Sequence, residues 1–323
     1  MSIVQRRILE QLGAAGLLIA AGCRDPELAS PDAPGTATSS PVSSGAAAAS
    51  GEPAATATAA APAGTGEVGA TCKTAEDCKP GLHCRLGFDG AEFTETGQCT
   101  TERPVYRGRP LVVDGAPRVA ELELGAERGV ADADAWASYF ARAAAEEHAS
   151  VAAFARTLCQ LMALGAPLGL LERTQAALAD ELEHTRTSLA WLARYAGAEA
   201  VPGRLPEALA PLAPGHGDEA ELARALLVDV LRGGCVGEAL AAEAMLARAD
   251  EAPAPELASW LRRVADDEAR HAALAFETAM WLVAQRSELA ALVAEECARL
   301  DAHARRLVVP LFEASGMLLR AAA

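Results

Sequence analysis

Two short runs of this chain combine residue types that can bind metal ions. Residues 180–184 and 267–271 both read Asp-Glu-x-x-His, and each run lies within a long alanine-rich stretch. In an α-helix, a Glu and a His three residues apart lie on one face, one turn from each other. Each run therefore predicts a carboxylate and an imidazole that can bind the same metal site.

Each run follows another predicted helix that carries a glutamate in its apolar stripe. Glu147 shares its stripe with Phe154, and Glu238 shares its stripe with Leu231 and Met245. One Glu from each of two helices, with Glu-x-x-His from each of the other two, is the ligand set of a two-metal carboxylate site in a four-helix bundle. The predicted metal ligands are therefore Glu147, Glu181, His184, Glu238, Glu268 and His271.

Electrostatics favours the same interpretation, because four carboxylates that converge in an apolar interior are strongly unfavourable unless they are neutralised. Two divalent cations would balance the four carboxylates, and two neutral imidazoles would complete the ligand set. Mixed carboxylate and imidazole ligation favours two iron or manganese ions over zinc. Asp180 and Asp267 each directly precede a ligand Glu. They are predicted to accept the free N–H of a ligand His on a neighbouring helix.

The predicted helices show how the six residues could meet. Apolar periodicity and stop signals place four helices at about 132–164, 167–196, 218–250 and 255–285. Short turns join the first to the second and the third to the fourth, so that each pair forms an antiparallel hairpin. The connection between the hairpins is rich in Pro, Gly and Ala and can cross a bundle ~45 Å long. The predicted fold class of residues 131–285 is all-α, a four-helix bundle with one long crossover.

These motifs and spacings resemble the ferritin-like superfamily, the di-iron carboxylate proteins that include ferritins, rubrerythrins and the small subunit of ribonucleotide reductase. Histidines in both motifs are more similar to bacterioferritin and rubrerythrin than to classical ferritin. The resemblance covers about residues 131–285 and implies two iron or manganese ions on the six ligands. It also implies redox chemistry on O2, peroxide or ferrous ion, as an oxidase, ferroxidase or peroxidase, although fold alone does not name the reaction.

Residues 1–23 resemble a bacterial lipoprotein signal peptide. Arg6 and Arg7 form a positive n-region, and the apolar stretch that follows is too short to span a bilayer. It ends in Ile-Ala-Ala-Gly-Cys, a lipobox-like sequence in which Cys23 would be lipidated and become the mature N-terminus. We therefore expect an exported protein, lipid-anchored in the cell envelope at the outer membrane or periplasmic face. An ordinarily cleaved signal peptide is the alternative.

The segments between the signal and the bundle differ sharply in composition. Residues 24–70 are mostly Ala, Pro, Ser, Thr and Gly, which predicts a disordered linker. Residues 71–101 form a small Cys-rich module, for which export predicts two disulfides. The absence of a Cys-x-x-Cys pair argues against a zinc ribbon or a rubredoxin-type iron site. The module is either a stapled spacer or a protein-recognition unit, and its four cysteines are Cys72, Cys78, Cys84 and Cys99.

Shorter elements flank the predicted bundle on both sides. Residues 102–130 predict a linker with a short hairpin, whose strands 111–113 and 119–124 enclose an Asp-Gly turn. Residues 286–323 predict a C-terminal helix, at about 287–306, and a tail, with the helix packed outside the bundle. A Gly-Gly pair one turn before Glu238 predicts either close helix packing or a local bulge beside the metals.

The overall charge limits the classes of partner. The formal charge of −16 argues against a nucleic-acid ligand, because phosphate binding requires a basic face. The membrane, through the lipid anchor, and a small oxidant or ferrous ion are the predicted partners. The alternative function is a lipid-anchored surface binding protein, with a structural metal site and a Cys-rich module that contacts an unidentified protein partner.

Overall fold

The structure of the chain is a computed structural model. It describes residues 1–22, 65–72, 77–79, 83–88, 93–100, 108–113, 116–124, 135–209 and 218–318. Cys23 and most of the predicted linker, residues 24–64, lie outside the described residues, and so does the region 210–217 of the crossover.

The first helical hairpin agrees with the prediction. Helix α2 spans Ala135–Ala163 and helix α3 spans Leu168–Ala196. Gly165 ends the first helix region with a φ of +70°, and Gly197 caps α3 in the left-handed conformation that glycine adopts without steric cost. The turn between them is so short that α2 and α3 pack antiparallel along their length.

The second hairpin contains an interruption that carries one of the predicted ligands. Helix α4 spans Glu219–Asp229, a π-helical segment spans Val230–Glu238, and α5 spans Ala239–Glu251. Asp218 begins this rod as its N-cap, accepting a hydrogen bond from the Ala220 N–H at 2.8 Å. Helix α6, Pro255–Gln285, begins with Pro at the first turn and packs against α5, the π-helical segment and α3.

Short strands precede and cross the helical region, and one predicted pairing is wrong. Strand β4, Leu111–Val113, pairs with β5, Ala116–Arg118, rather than with residues 119–124. Strand β6, Leu122–Leu124, pairs instead with β7, Ala200–Pro202, in the crossover. Because β4 pairs with β5, which follows it after only two residues in the sequence, the later residues are free to pair with a segment distant in sequence.

The Cys-rich module is a small antiparallel sheet in the order β1-β3-β2. Its strands are β1, Thr71–Cys72, β2, His83–Phe88, and β3, Phe93–Thr100. A disulfide joins Cys78 to Cys99, and Cys72 is also disulfide-bonded. The side chain of Cys84 lies outside the described residues, so its predicted disulfide stays a prediction.

The C-terminal region is not the single helix predicted at 287–306. A 3-10 turn, Ser287–Leu289, leads into α7, Ala290–Ala298, and a separate helix α8, Ala302–Ala314. Asp301 starts α8 by accepting the N–H groups of the next residues, an N-cap that the sequence analysis did not identify. Both helices add to the core; for example, Phe312 packs on Phe276 of α6 at 4.7 Å between ring centroids.

Helix α1, Ile3–Gly22, covers the predicted signal sequence. Val4 and Ile8 are buried in the same core as α6 and α8. The Gln5 amide donates to the carbonyl oxygen of Leu307 at 2.9 Å, and Arg7 pairs with Asp266 at 2.5 Å. Among the helices that the structure describes, none is both long and apolar enough to cross a membrane. Lipidation and export stay predictions.

Candidate metal centre

The four long helical elements bring all six predicted ligands to one place in the interior. The ligands form two groups, and within each group one potential ligand atom per residue lies within 4.8 Å of the others. Two carboxylates belong to both groups, so the groups are adjacent and share an edge. The first group is Glu147, Glu181, His184 and Glu268; the second is Glu181, Glu238, Glu268 and His271.

The two imidazoles direct corresponding atoms at the carboxylates. His184 Nδ1 lies 3.6 Å from Glu268 Oε1 and 3.9 Å from Glu147 Oε2. His271 Nδ1 lies 3.0 Å from Glu181 Oε1 and 3.6 Å from Glu268 Oε2. The Glu147 side chain is 14 % exposed, whereas the other five ligands are at most 3 % exposed. The first group is therefore closer to solvent than the second.

The carboxylate oxygens and imidazole nitrogens that face the interior of this cluster are atoms that a bound cation would pair with. Apart from the 3.0 Å approach of His271 Nδ1 to Glu181 Oε1, which lacks the geometry of a hydrogen bond, the oxygens of Glu181 and Glu238, Glu268 Oε2 and His184 Nδ1 are buried without a hydrogen-bond partner. Buried polar atoms in native proteins are almost always paired, because an unpaired one costs the full desolvation penalty. The donor set of carboxylates and imidazoles fits a metal ion, and these groups could hold one.

The electrostatics of the metal-free cluster show the same strain. Burial, together with the neighbouring carboxylates, raises the pKa of Glu147 and of Glu238 well above the ordinary value for a glutamate. Burial would lower the pKa of His184 and His271, but hydrogen bonds to aspartates and nearby carboxylates outweigh it, so both pKa values are raised. Without a cation, the cluster therefore retains protons that metal ligands must release.

The predicted aspartate partners lie on the outer side of the imidazoles, each across the α3–α6 interface. Asp267 Oδ2 is 3.1 Å from His184 Nε2, and Asp180 Oδ2 is 3.2 Å from His271 Nε2. A carboxylate at Nε2 accepts that N–H and leaves the Nδ1 lone pair directed inward. Burial raises the pKa of both aspartates, but the hydrogen bonds to the histidines and the charge of Arg270 outweigh it and lower the pKa.

Arg270, which the sequence analysis did not select, ties these two aspartates together. Its Nη1 lies 2.5 Å from Asp267 Oδ1, and its Nη2 lies 3.2 Å from Asp180 Oδ2. The side chain occupies the x position directly before His271 in the second motif. Only the packing of α3 on α6 shows that this position can reach both motifs.

The π-helical segment explains the Gly-Gly pair that precedes Glu238. A Cβ added to Gly234 would lie 2.4 Å from the Ala275 Cβ of α6, closer than two such atoms can approach. Gly234 therefore permits the close packing of α6, and the π-helical segment that contains it ends at Glu238. Both interpretations of the glycine pair hold together, since the packing and the bulge occur in one segment.

Arg109 is a second residue that the sequence analysis missed, and no local pattern marked it. It precedes β4, and only 5 % of it is exposed. Its Nη2 donates to Thr157 Oγ1 at 2.8 Å, and its carbonyl oxygen accepts from Ser150 Oγ at 2.9 Å. Its guanidinium carbon lies 4.7 Å from the centre of the Phe154 ring. A cation is thus buried within the helical domain, beside α2.

An aromatic cluster fills the end of the bundle nearest Glu147. The rings of Phe140, Trp191 and Tyr195 stack on one another with centroids about 6 Å apart, and Trp260 lies 5.9 Å from Phe140. Tyr139 donates its hydroxyl to the Met245 sulfur at 3.2 Å, and burial raises its pKa. These contacts place Tyr139 and Trp191 in ordinary core packing.

A cleft of about 600 Å³ opens on the α3–α6 face outside the cluster. Its lining includes His184, Asp267, Trp260, Arg263 and Arg270. The cleft therefore reaches one of the predicted ligand histidines and its aspartate partner.

Comparisons with known proteins add no relative to these observations. No family model, no curated protein and no solved structure matches the chain. The family resemblance of this helical chain therefore rests on its own residues: a buried carboxylate and histidine cluster that could bind a metal, carried by long packed helices.

Proposed function

We propose that this chain is a ferritin-like carboxylate protein that holds two iron or manganese ions and carries out redox chemistry on O2, peroxide or ferrous ion. The observation that carries the proposal is the sharing of Glu181 and Glu268 between two four-residue groups. A carboxylate has two oxygens, so a residue that belongs to both groups can bridge two neighbouring ions. A single-ion site would leave one imidazole and one carboxylate without a role.

The positions of the residues indicate which would bind the ions and which would orient the imidazoles. Glu147 and His184 would complete one site, and Glu238 and His271 would complete the other, around the two shared glutamates. Asp267 and Asp180 would hold the imidazoles in the tautomer that presents Nδ1 to the ions. Two ions held by these residues would supply the capacity to bind and reduce an oxygen species together.

Export is a separate proposal that the disulfides support. Cys78–Cys99 is a disulfide, and disulfides persist in oxidising compartments such as the bacterial periplasm and cell surface. A lipid anchor at Cys23 would place the metal domain in the cell envelope, at the end of the linker of residues 24–70.

Metal content and reactivity of the full chain test the proposed function. The purified protein should bind two ions per chain by elemental analysis. Loaded with ferrous iron without oxygen and then exposed to O2 or H2O2, it should develop the near-ultraviolet absorption of ferric iron within seconds to minutes. Glu238→Gln should slow this change roughly 100-fold or more, because a misplaced ligand shifts the reacting atoms by an ångström or so.

Matched variants test the metal site, and the oxidation rate separates the two candidate functions. Replacing Glu268 and His271 together by Ala should remove both ions, whereas Glu183→Gln, on the exposed side of α3, should leave the metal content at two. Unchanged metal content in the double variant would refute the site. A protein that binds two irons but oxidises them no faster than free iron in buffer would support a structural site in a surface binding protein.

A further inference from the structure

A buried positive charge accompanies the carboxylates of the proposed centre. Burial lowers the pKa of Arg109, and three nearby carboxylates, Glu238, Asp229 and Glu181, oppose this shift, Glu238 most strongly. An arginine side chain keeps its proton in proteins, so this cation is permanent. The Glu238 side of the centre therefore includes a fixed positive charge that belongs to no metal ligand.

The chain holds Arg109 at this place through main-chain and side-chain contacts. Gly108 donates its N–H to the carbonyl oxygen of Gly237, the residue next to Glu238, at 2.8 Å. A Cβ added to Gly108 would lie 3.8 Å from Glu238 Oε2, so the main chain itself borders that carboxylate. On the other side, Arg109 contacts the Phe154 ring, whose edge lies against the His271 ring at 5.3 Å between centroids. Arg109 is thus held between the predicted ligand Glu238 and Phe154, the ring that packs against the predicted ligand His271.

The charge count shows what this residue changes. The four glutamates contribute four negative charges, two divalent ions would contribute four positive charges, and the imidazoles are neutral. The divalent centre would therefore be balanced by its own ligands, and Arg109, which also lies near Asp229, adds a positive charge on the Glu238 side. In a buried site, where the effective dielectric constant is far below that of water, such a charge acts strongly on neighbouring ions.

We infer that Arg109 is a positioning residue that makes the proposed centre an acceptor of a small inorganic anion and stabilises its reduced state. This inference rests on the proposed function. A nearby positive charge attracts an anion that adds to the metals, and it favours the state that holds the additional electron. A residue that only fastened residues 108–113 to α2 would change neither quantity.

The test uses the full, iron-loaded chain and azide as the anionic probe. Arg109→Gln should keep two irons per chain, weaken azide binding about tenfold, as expected for the loss of one charge in a low-dielectric site, and lower the midpoint potential of the iron pair. Arg109→Lys retains the charge and should stay within about threefold of the wild-type azide affinity. Azide affinity is measured from its absorption band with ferric iron, and the potential by spectroelectrochemical titration.

Arg156→Gln is the matched control for the alternative that Arg109 only attaches residues 108–113 to α2. Arg156 donates to the carbonyl oxygen of Val112 at 2.9 Å, so this variant also loosens residues 108–113 from α2. It should leave azide affinity and midpoint potential near their wild-type values. If Arg109→Gln does not fold, Thr157→Val removes the partner of the guanidinium and should weaken azide binding several-fold.

The outcomes distinguish the two proposals. A wild-type chain that does not bind two metal ions overturns the proposed function, and the inference with it. If Arg109→Gln binds two irons but keeps the wild-type azide affinity and midpoint potential, the inference is overturned and the proposed function stands. The same holds if Thr157→Val, used in place of a misfolded Arg109→Gln, keeps the wild-type azide affinity. Equal effects of Arg109→Gln and Arg156→Gln would also overturn it, since the fastening of residues 108–113 would then explain both.

Discussion

Glu181 and Glu268 differ from the other four ligands because each belongs to both groups of the cluster. They lie on α3 and α6, each one turn before a ligand histidine whose outer nitrogen is held by the aspartate of the opposite motif. In the proposed centre, this reciprocal arrangement would give each motif two roles, ligation on its own side and orientation of the imidazole across the interface. Glu147 and Glu238 serve one group each, at opposite sides of the shared pair.

The shared and unshared glutamates should differ in their effect on metal content. Glu268→Gln should reduce binding from two ions to fewer than one per chain, because both sites lose a ligand. Glu147→Gln should leave about one tightly bound ion, since the second group stays complete. Glu146→Gln, on the outward side of the same helix, is the control and should bind two. Elemental analysis after gel filtration measures this, and equal losses in the Glu268 and Glu147 variants would contradict the sharing.

Stability of the metal-free protein should fall as pH rises from about 5.5 to 8. The pKa values of Glu147 and Glu238 are raised above 4.5, and those of His184 and His271 are raised above 6.5. A group whose pKa is raised by folding stabilises the fold below its unfolded pKa, and this contribution is lost as pH rises through the folded pKa. The melting temperature of the metal-free protein should therefore be lower at pH 8 than at pH 5.5.

Metal should reverse this trend, because the ions bind deprotonated ligands and compete with protons. The increase in melting temperature on adding metal should be larger at pH 8 than at pH 5.5. The lowered pKa values of Asp180 and Asp267 lie below this window, so these groups do not oppose the trend, whereas His148, whose pKa burial lowers, opposes it in part. A metal-induced increase that shrinks toward pH 8 would contradict the assignment of these groups as ligands.

Among the elements, the π-helical segment Val230–Glu238 has the most direct influence on the centre. It inserts extra residues into the third long helix and ends at a ligand. Two of its three glycines differ in how closely they are packed. A Cβ on Gly234 would lie 2.4 Å from the Ala275 Cβ of α6 and 3.1 Å from Arg109 Nη1, whereas a Cβ on Gly233 would meet Arg109 and Pro110 at 3.5 Å or more. The segment therefore couples the α6 packing to the position of Glu238.

The two glycines should respond differently to alanine. Gly234→Ala should destabilise the protein by about 1–3 kcal/mol, as overpacking does, and should reduce occupancy of the site that contains Glu238. Gly233→Ala adds a Cβ at ordinary contact distance and should change the free energy of unfolding by less than about 1 kcal/mol. Urea unfolding and metal content of both variants measure this, and similar behaviour of the two would show that close packing at Ala275 is unimportant.

On the scale of the whole molecule, the helical domain extends beyond the predicted bundle at both ends. Helices α7 and α8 bury Val293, Val308 and Leu311 in the same core as α6. Arg232 of the π-helical segment makes two contacts with Glu296 of α7, at 2.7 and 2.8 Å. Residues 108–113 cover the other side of this segment. The segment beside the centre is thus held by parts of the chain on both sides of the four long helices.

The proposed lipid anchor at Cys23 would determine the cellular location of the whole molecule. In a bacterial host that exports the protein, wild-type chain should fractionate with membranes and begin at a modified Cys23. Cys23→Ser should move it to the soluble fraction, since a thioether-linked lipid cannot form on serine. Mass spectrometry of the N-terminal peptide provides the check. A soluble wild-type protein with a different first residue would contradict the anchor and favour an ordinarily cleaved signal peptide.

The sequence by itself determined the six candidate ligands and the limits of the long helices. Both depend on local rules: helical periodicity places Glu and His on one face, and Gly197, Asp218 and Pro255 end or begin helices through their own backbone and side-chain chemistry. Even the outer aspartates followed from their place in the motifs.

The tertiary structure alone decided how these parts are joined. It determined which glutamates are shared, that Arg109 lies buried beside Glu238, that β6 pairs with the crossover, and that α8 is a separate helix in the core. Each of these depends on contacts between residues far apart in the chain. Periodicity specifies which face of an element is buried, whereas the partner on that face is selected by the free energy of packing the whole molecule.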